Sequence, residues 1–295
     1  MLTDILKSVR RLEVVSRNKI TSLFAGNYRS AFTGRGIEFA DIRPYDMGDD
    51  VRDIDWKTTS KQGELFVKTY HETRDNTLFF VVDGTAAMHF SSTKRKKYEQ
   101  LLETFALLAF SAVMNGDRVG MLFYNEEGET IFPPKKGRKH ILQMLLFCIT
   151  QYQRPMCRYH PVRLQHVFSK TLLFLKHPTH IFWLQGSVAT LSNAEKKGIK
   201  MLAARHDVVP FVFIDPMEED FSFRGEVRVQ DSFSGKISSV VVDAETQKQF
   251  RKQRKEKLLR FQEFCKKHHI RPVFFRAHTK AFSTLYRFFQ ERQKR

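Results

Sequence analysis

The pattern of apolar and polar positions changes character twice along the chain. At the start, Leu2, Ile5, Leu6, Val9, Leu12 and Val15 recur at helical spacing with charges between them. From Gly34 to Asp55 that periodicity disappears, and the sequence predicts a long charged loop. After a predicted strand at Leu65–Tyr70, strands and helices alternate. Leu78–Val82 is a short apolar run ending in Asp83, the pattern of a strand buried on both faces. Helices are predicted over Lys94–Asn115, closed by Gly116, and over Arg138–Tyr152, Val162–Lys176 and Ala194–His206. Strands are predicted at Val119–Tyr124, His180–Leu184 and Val208–Ile214. Short β-like runs around Gly225 and Gly235 predict a hairpin insertion within 221–242. A long basic helix from Glu245 to His269, a strand at Pro272–Phe275 and a last helix complete the pattern. Such alternation predicts an α/β fold with a mostly parallel sheet covered by helices on both faces. The expected division is 1–76, an N-terminal helix plus the charged segment, and 77–295, the sheet domain with its hairpin.

With 295 residues, the chain is long enough to bury a large core without disulfide or metal support. Hydrophobic residues at 42% and charged residues at 28% exclude a disordered chain. Three cysteines, Cys148, Cys157 and Cys265, give no disulfide framework and point to a reducing compartment. The longest apolar stretch, Leu101–Met114, is short of a membrane span and contains Glu103. A cytoplasmic location is the expectation.

Charge adds what periodicity does not. The chain carries +18, yet Gly34–Asp55 holds three arginines and seven carboxylates, a net −4. Its sequence, within GRGIEFADIRPYDMGDDVRDIDWKTTSKQGELFVKTYHE (34–72), closely resembles the hallmark of the domain of unknown function 58 family. Gly34, Arg35, Gly36, Glu38, Phe39, Arg43, Tyr45, Gly48, Asp49, Asp50, Arg52, Ile54, Asp55 and Trp56 fall on that pattern. The later stretch LAARHDVVPFVFIDP (202–216) and the basic helix are also similar. The resemblance implies a von Willebrand factor A-like fold and work beside a MoxR-type AAA+ ATPase, as a non-enzymatic adaptor or target-recognition partner. Arginine forks fit carboxylates bidentately. Arg35, Glu38, Arg43, Asp49, Asp50, Arg52, Asp55 and Trp56 therefore form either an internal network or a face that docks a partner.

The same resemblance implies a metal-ion-dependent adhesion site after the strand ending at Asp83, at the strand end where ligands of open parallel sheets gather. Asp83 and Thr85 match the first oxygen donors for Mg²⁺, but Ala87 has no oxygen. No threonine lies at 159–163, and Gln185-Gly186 stands where an acidic residue is implied. The expectation is a degenerate site without a resident cofactor, with Asp83 capping the next turn.

Other chemistry is weaker. Cys148, Cys157, His160 and His166 lack the tight spacing of structural zinc sites. Lys135-Lys136-Gly137-Arg138-Lys139 is not a phosphate-binding loop, and no nucleophile elbow is present. Residues 248–295 carry sixteen Lys or Arg against three Glu. Lys252, Arg254, Lys255 and Lys257 are therefore candidates for binding nucleic acid or an anionic membrane, the alternative to the adaptor reading. The run Lys94-Arg95-Lys96-Lys97 opens a predicted helix at its unfavourable end for positive charge, and is a further candidate anion contact.

Overall fold

The computed structural model describes residues 10, 11, 13, 16, 28, 37–72, 76–154, 162–188, 190–221, 223–231 and 236–293. The chain divides into two compact units, one of 32–76 and one of 1–31 together with 77–295.

The smaller unit corrects the expectation of a long loop. Strand β1 (Ile37–Pro44) pairs antiparallel with β2 (Phe66–Glu72), with a register shift between Phe39 and Asp41. Glu38 and Asp41 lie inside β1, and acidic residues are depleted in strands, so the local pattern hid it. Pairing with β2 supplies what local propensity lacks. A 3-10 turn (Val51–Asp53) and helix α1 (Trp56–Gln62) cross between the strands. Ile54 bridges to Val67, and both are buried as the small core of this unit. Gly63 ends α1 at φ 77°, its N–H donating to the Thr59 carbonyl, a conformation that favours glycine.

The larger unit carries a six-stranded sheet in the order β10-β7-β6-β3-β4-β5. Its members are β3 (Thr77–Asp83), β4 (Arg118–Asn125), β5 (Gly128–Lys135), β6 (His180–Gln185), β7 (Asp207–Ile214) and β10 (Val273–Arg276). All neighbours are parallel except β4 and β5. The sequence reading missed β5. It carries Pro133 and Pro134, which cannot donate to a ladder and are tolerated on an edge strand.

Alternation along the central strands splits the core into two layers. Phe79, Val81, Ile181 and Trp183 face α4 (Leu164–Phe174), α5 (Asn193–Arg205) and α7 (Ala244–Lys267), meeting Val167, Phe168, Ile199, Leu202 and Phe261. On the opposite face Phe80 meets Phe105 of α2 (Lys97–Met114) edge-on at 4.6 Å, and Phe211 meets Phe288 of α8 (Ala281–Gln293) at 5.7 Å. Helix α3 (Arg138–Gln153) packs beside α2. The abundance of phenylalanine is thus spent on a two-sided core. A four-residue helix, α6 (Pro216–Glu219), follows β7, and the expected hairpin forms from β8 (Gly225–Gln230) and β9 (Ile237–Val242).

Two described residues of 1–31 make side-chain contacts in the larger unit. Buried Tyr28 donates to Asp117 Oδ2 at 2.8 Å, at the turn before β4. Arg138 grips Glu13 with two donors, one at 2.8 Å. Among the described residues, no helix is long and apolar enough to cross a membrane.

A buried histidine and a half-exposed aspartate make stability depend on pH in the same direction. His206 lies buried, and burial and then Arg205 push its pKa down against a hydrogen bond with the His177 backbone. Asp207 is held below the usual carboxylate range; burial opposes this, but hydrogen bonding from His180 and the charge and hydrogen bond of Arg292 prevail. In each case the unfolded chain binds the proton more readily. Stability is therefore complete above about pH 6.5 and falls as pH drops through the histidine range and then through the carboxylate range. Urea unfolding from pH 8 to 4 should show this decline, and His206→Gln should flatten its upper part.

Candidate functional site

The carboxyl ends of the central strands meet around Asp83. Its Oδ1 accepts from the Thr85 amide at 2.9 Å and the Thr85 hydroxyl at 2.6 Å, and its Oδ2 accepts from the Gly186 amide at 2.9 Å. One carboxylate therefore caps the turn after β3 and ties it to the end of β6. Both glycines here are obligatory on packing grounds. A Cβ on Gly84 would lie 2.0 Å from the Phe123 ring, and one on Gly186 would lie 2.5 Å from Met88 Sδ. Tyr152 donates its hydroxyl to the Asp83 carbonyl at 2.5 Å, and burial pushes its phenol pKa well up. Ala86 N–H donates to Glu126 at 2.8 Å, and burial holds that carboxyl above its ordinary range.

Lys97, only 3% exposed, opens α2 and reaches the same place. Its ammonium donates to the Gly186 carbonyl at 2.6 Å and to Glu218 Oε1 at 3.0 Å. Within the basic run, Lys97 is buried and Arg95 pairs with Glu103, while Lys94 and Lys96 remain exposed. Asp215, at the end of β7, accepts from Met217 N at 2.9 Å and from Ser92 N at 2.8 Å.

The structure brings Asp83 and Thr85 together but not an oxygen set for Mg²⁺. The Asp83 oxygens are committed to three donors, and Ala87 offers only hydrocarbon. Gln185 is buried with both amide atoms lacking a partner. Of the loop where a threonine was sought, 159–161 lie outside the described residues. Among the described residues no three His, Cys, Asp or Glu cluster as a metal group. Cys157 and His160 of the zinc candidate lie outside the described residues. Cys148 is fully buried against Met121, its thiol pKa pushed far up by burial.

Above Asp83 opens a cavity of about 480 Å³, lined by Thr85, Gln185, Ser187, Thr190, Arg254 and Lys257 among others. Thr190 and Ser187 escaped the sequence reading because they follow β6 in a loop without a recognisable spacing. The four basic candidates of α7 separate. Arg254 and Lys257 line the cavity and Lys252 and Lys255 do not, although Lys252, Lys255 and Lys257 are all exposed. Arg254 Nε donates to the Glu218 carbonyl at 2.6 Å.

In the smaller unit, Arg35 lies outside the described residues, as do the side chains of Glu38 and Arg52. Arg43 pairs with Asp49 at 2.7 Å, and Asp49 also accepts from Asp46 N at 2.9 Å. The Arg43 hydrogen bond is the main cause that holds the Asp49 carboxyl below its ordinary range. Asp55 caps α1, accepting from Lys57 N at 3.3 Å and Thr58 Oγ1 at 2.8 Å. Asp50 supplies its carbonyl to Asp53 N at the 3-10 turn. The Arg43–Asp49 pair is a surface pair, with side chains 46% and 23% exposed. Beside it in sequence, Met47, Val51 and Trp56 are 99%, 62% and 64% exposed.

This architecture belongs with a family match. The family model described as "Protein of unknown function DUF58" matches residues 41–260, and the chain belongs to that family. The uncharacterized protein Rv1480 of Mycobacterium tuberculosis is 25% identical over 241 residues, covering 80% of this chain and 73% of that protein. The uncharacterized protein YeaD of Bacillus subtilis is 26% identical over 212 residues, 68% of this chain and 48% of YeaD. Solved structures similar in fold include the conserved hypothetical protein BatB of Bacteroides thetaiotaomicron, with 12% identity, TM-score 0.47, and coverage of 75% of this chain and 100% of that one. The SpRpn10 VWA domain is another, with 11% identity, TM-score 0.44, and coverage of 71% and 93%. The fold is of the α/β class, with a mostly parallel six-stranded sheet between helices.

Two substitutions should move stability in opposite directions. Asp83→Ala leaves the buried Gly186 and Thr85 donors unpaired and should cost about 2–4 kcal/mol. Gln185→Met keeps the volume and removes two orphaned polar atoms, so it should stabilise by about 1–2 kcal/mol. Chemical denaturation of both variants checks the signs.

Proposed function

We propose that this chain is a non-enzymatic adaptor that docks a MoxR-type AAA+ ATPase through its smaller unit. The observation that carries the reading is the exposure of Met47, Val51 and Trp56 within ten positions of one another, next to the exposed Arg43–Asp49 pair. Large apolar side chains left in water within a polar surround are the usual makings of a protein interface, and tryptophan is enriched among the residues that dominate binding energy. The surface pair adds orientation rather than stability, since solvent screens it. The four carboxylates Asp46, Asp49, Asp50 and Asp55 give the unit the acidic character that a basic partner surface would complement. The ATPase supplies the energy, and this chain supplies a rigid recognition surface. The buried Cys148 and Cys265, the latter with its thiol pushed up to about 12, fit a reducing cytoplasm.

The strand-end metal position belongs to this proposal as a degenerate one. Asp83 acts there as an internal tie, so millimolar Mg²⁺ should leave the melting temperature of the wild type unchanged, and the loss in Asp83→Ala should be equal with and without the ion. A Mg²⁺-dependent rise in the wild type, absent from the variant, would show a working metal site.

The docking surface is tested with the purified MoxR-type ATPase encoded in the same genome, its affinity measured at low and physiological salt. Trp56→Ala with Val51→Ser should weaken capture at least about tenfold, with little change in folding, because both side chains are exposed. Asp49→Lys with Asp50→Lys should weaken it too. Lys252→Glu with Lys255→Glu should leave it intact. Unchanged capture in both variants of the smaller unit would defeat the reading. Loss only in the α7 variant, alongside binding to duplex DNA that falls steeply with salt, would favour a polyanion partner instead.

A further inference from the structure

Charge is divided unevenly between the two helical layers of the larger unit. Helices α4, α5 and α7, on one face of the sheet, hold fourteen lysines and arginines against four glutamates, a net +10. Helices α2, α3 and α8, on the other face, hold five against three, a net +2. We propose that the outer face of the α4–α5–α7 layer is a docking surface for an anionic lipid bilayer. This function is separate from ATPase capture, which is assigned above to the smaller unit.

The three helices make one continuous face. Val167, Phe168, Ile199, Leu202, Phe261 and Cys265 share a single core cluster beneath them. Helices α4 and α5 approach closely, since a Cβ on Gly198 would lie 3.1 Å from the Phe168 Cβ. His268, just past α7, feels α5 as well: partial burial and then the charges of Lys200 and Lys267 hold its pKa down. Like charges from two helices are thus crowded together.

On α7 the cations form a stripe. With Phe261 and Cys265 buried against the sheet, helical periodicity puts Lys248, Lys252, Lys255, Leu259 and Lys266 on the opposite side. All five are exposed, and at 1.5 Å per residue they extend over about 27 Å. Among the described residues none of these four lysines has a hydrogen bond or ion pair, and the same holds for Lys197 and Lys200 of α5. The carboxylates of the layer do little to offset them. Glu195 is committed to the Ser192 amide at 2.8 Å, Glu245 accepts from Gln249, and Glu256 pairs with Arg260 at 3.5 Å. Only Glu263 is left without a partner among the described residues.

Apolar exposure separates a bilayer from a nucleic acid as the occupant. Each helix of this layer holds one large apolar side chain in water: Leu173 is 72% exposed on α4, and Met201 and Leu259 are 45% exposed on α5 and α7. The opposite layer has one, Met114, among the described residues. Met201 follows Lys197 by four residues and Leu259 follows Lys255 by four, so each apolar tip has a lysine one turn away. At a membrane surface such tips enter the boundary between headgroups and acyl chains, while the lysines meet anionic headgroups. A phosphodiester backbone satisfies the lysines but leaves the tips in water. The bilayer uses both.

The full chain is tested by co-sedimentation with large vesicles at physiological salt. One set is pure phosphatidylcholine, and the other is two parts phosphatidylcholine to one part phosphatidylglycerol. Binding to the anionic set and none to the neutral set is expected. Lys252→Gln with Lys255→Gln should weaken it at least about tenfold, because each lysine near an anionic surface contributes roughly a fivefold gain. Met201→Ser with Leu259→Ser should weaken vesicle binding by about tenfold without removing any charge. Lys139→Gln with Arg287→Gln removes the same charge from exposed positions of the opposite layer and should bind as wild type. Every position altered is exposed, so the variants should fold as the wild type does. No sedimentation with anionic vesicles, or equal losses in the α7 and opposite-layer variants, would overturn the proposal. Vesicle binding indifferent to the Met201 and Leu259 changes would overturn it too, and tighter, salt-sensitive binding to duplex DNA would then identify nucleic acid as the occupant. ATPase capture is scored through the smaller unit, so each of these failures leaves that reading standing.

Discussion

The carboxylate of Asp83 ties the two central strands of the sheet together at the end that opens onto the cavity. A buried ionised group is costly unless its lone pairs are met, and here three donors from two loops meet them. The consequence spreads outward. Because Gly186 N–H is spent on Asp83, its carbonyl is free to receive Lys97, and Lys97 in turn holds Glu218 at the start of α6. Glu218 then fixes Arg254 through its carbonyl. Five elements, β3, β6, α2, α6 and α7, are thereby pinned around one cavity.

That chain of contacts occupies the Asp83 oxygens at the position where the sequence resembles a metal site. A divalent ion needs oxygen ligands whose lone pairs are unspent. In this protein the first candidate ligand is an internal tie, the third is alanine, and the strand end offers an amide. Positive charge arrives instead on side chains. Lys97 is consumed inside the fold, and Arg254 and Lys257 remain to face the cavity.

The smaller unit follows a different logic. Among its described side chains Ile54 and Val67 are buried together, and its carboxylates serve local turns: Asp49 braces Arg43 and the Asp46 amide, and Asp55 caps α1. Met47, Val51 and Trp56 remain exposed on it.

Near-neighbour patterning was enough to determine the alternation of strands and helices, the two-sided burial of Leu78–Val82 and Val208–Ile214, the hairpin and the long basic helix, because apolar spacing over a few residues encodes which face is buried. The charged motif at 34–56 likewise marked the family. Strand β1 stayed hidden because its conformation depends on a partner strand rather than on its own acidic residues, and β5 because an edge position excuses two prolines. The burial of Lys97, the orphaned amide of Gln185 and the convergence of Arg254 and Lys257 were decided only by the tertiary structure. The partners of Lys97 lie 89 and 121 positions away, and that of Arg254 36 positions away. A lysine in a basic run and a glutamine at a strand end carry no local sign of such neighbours, since charge reads the same in sequence whether water or a carboxylate will surround it.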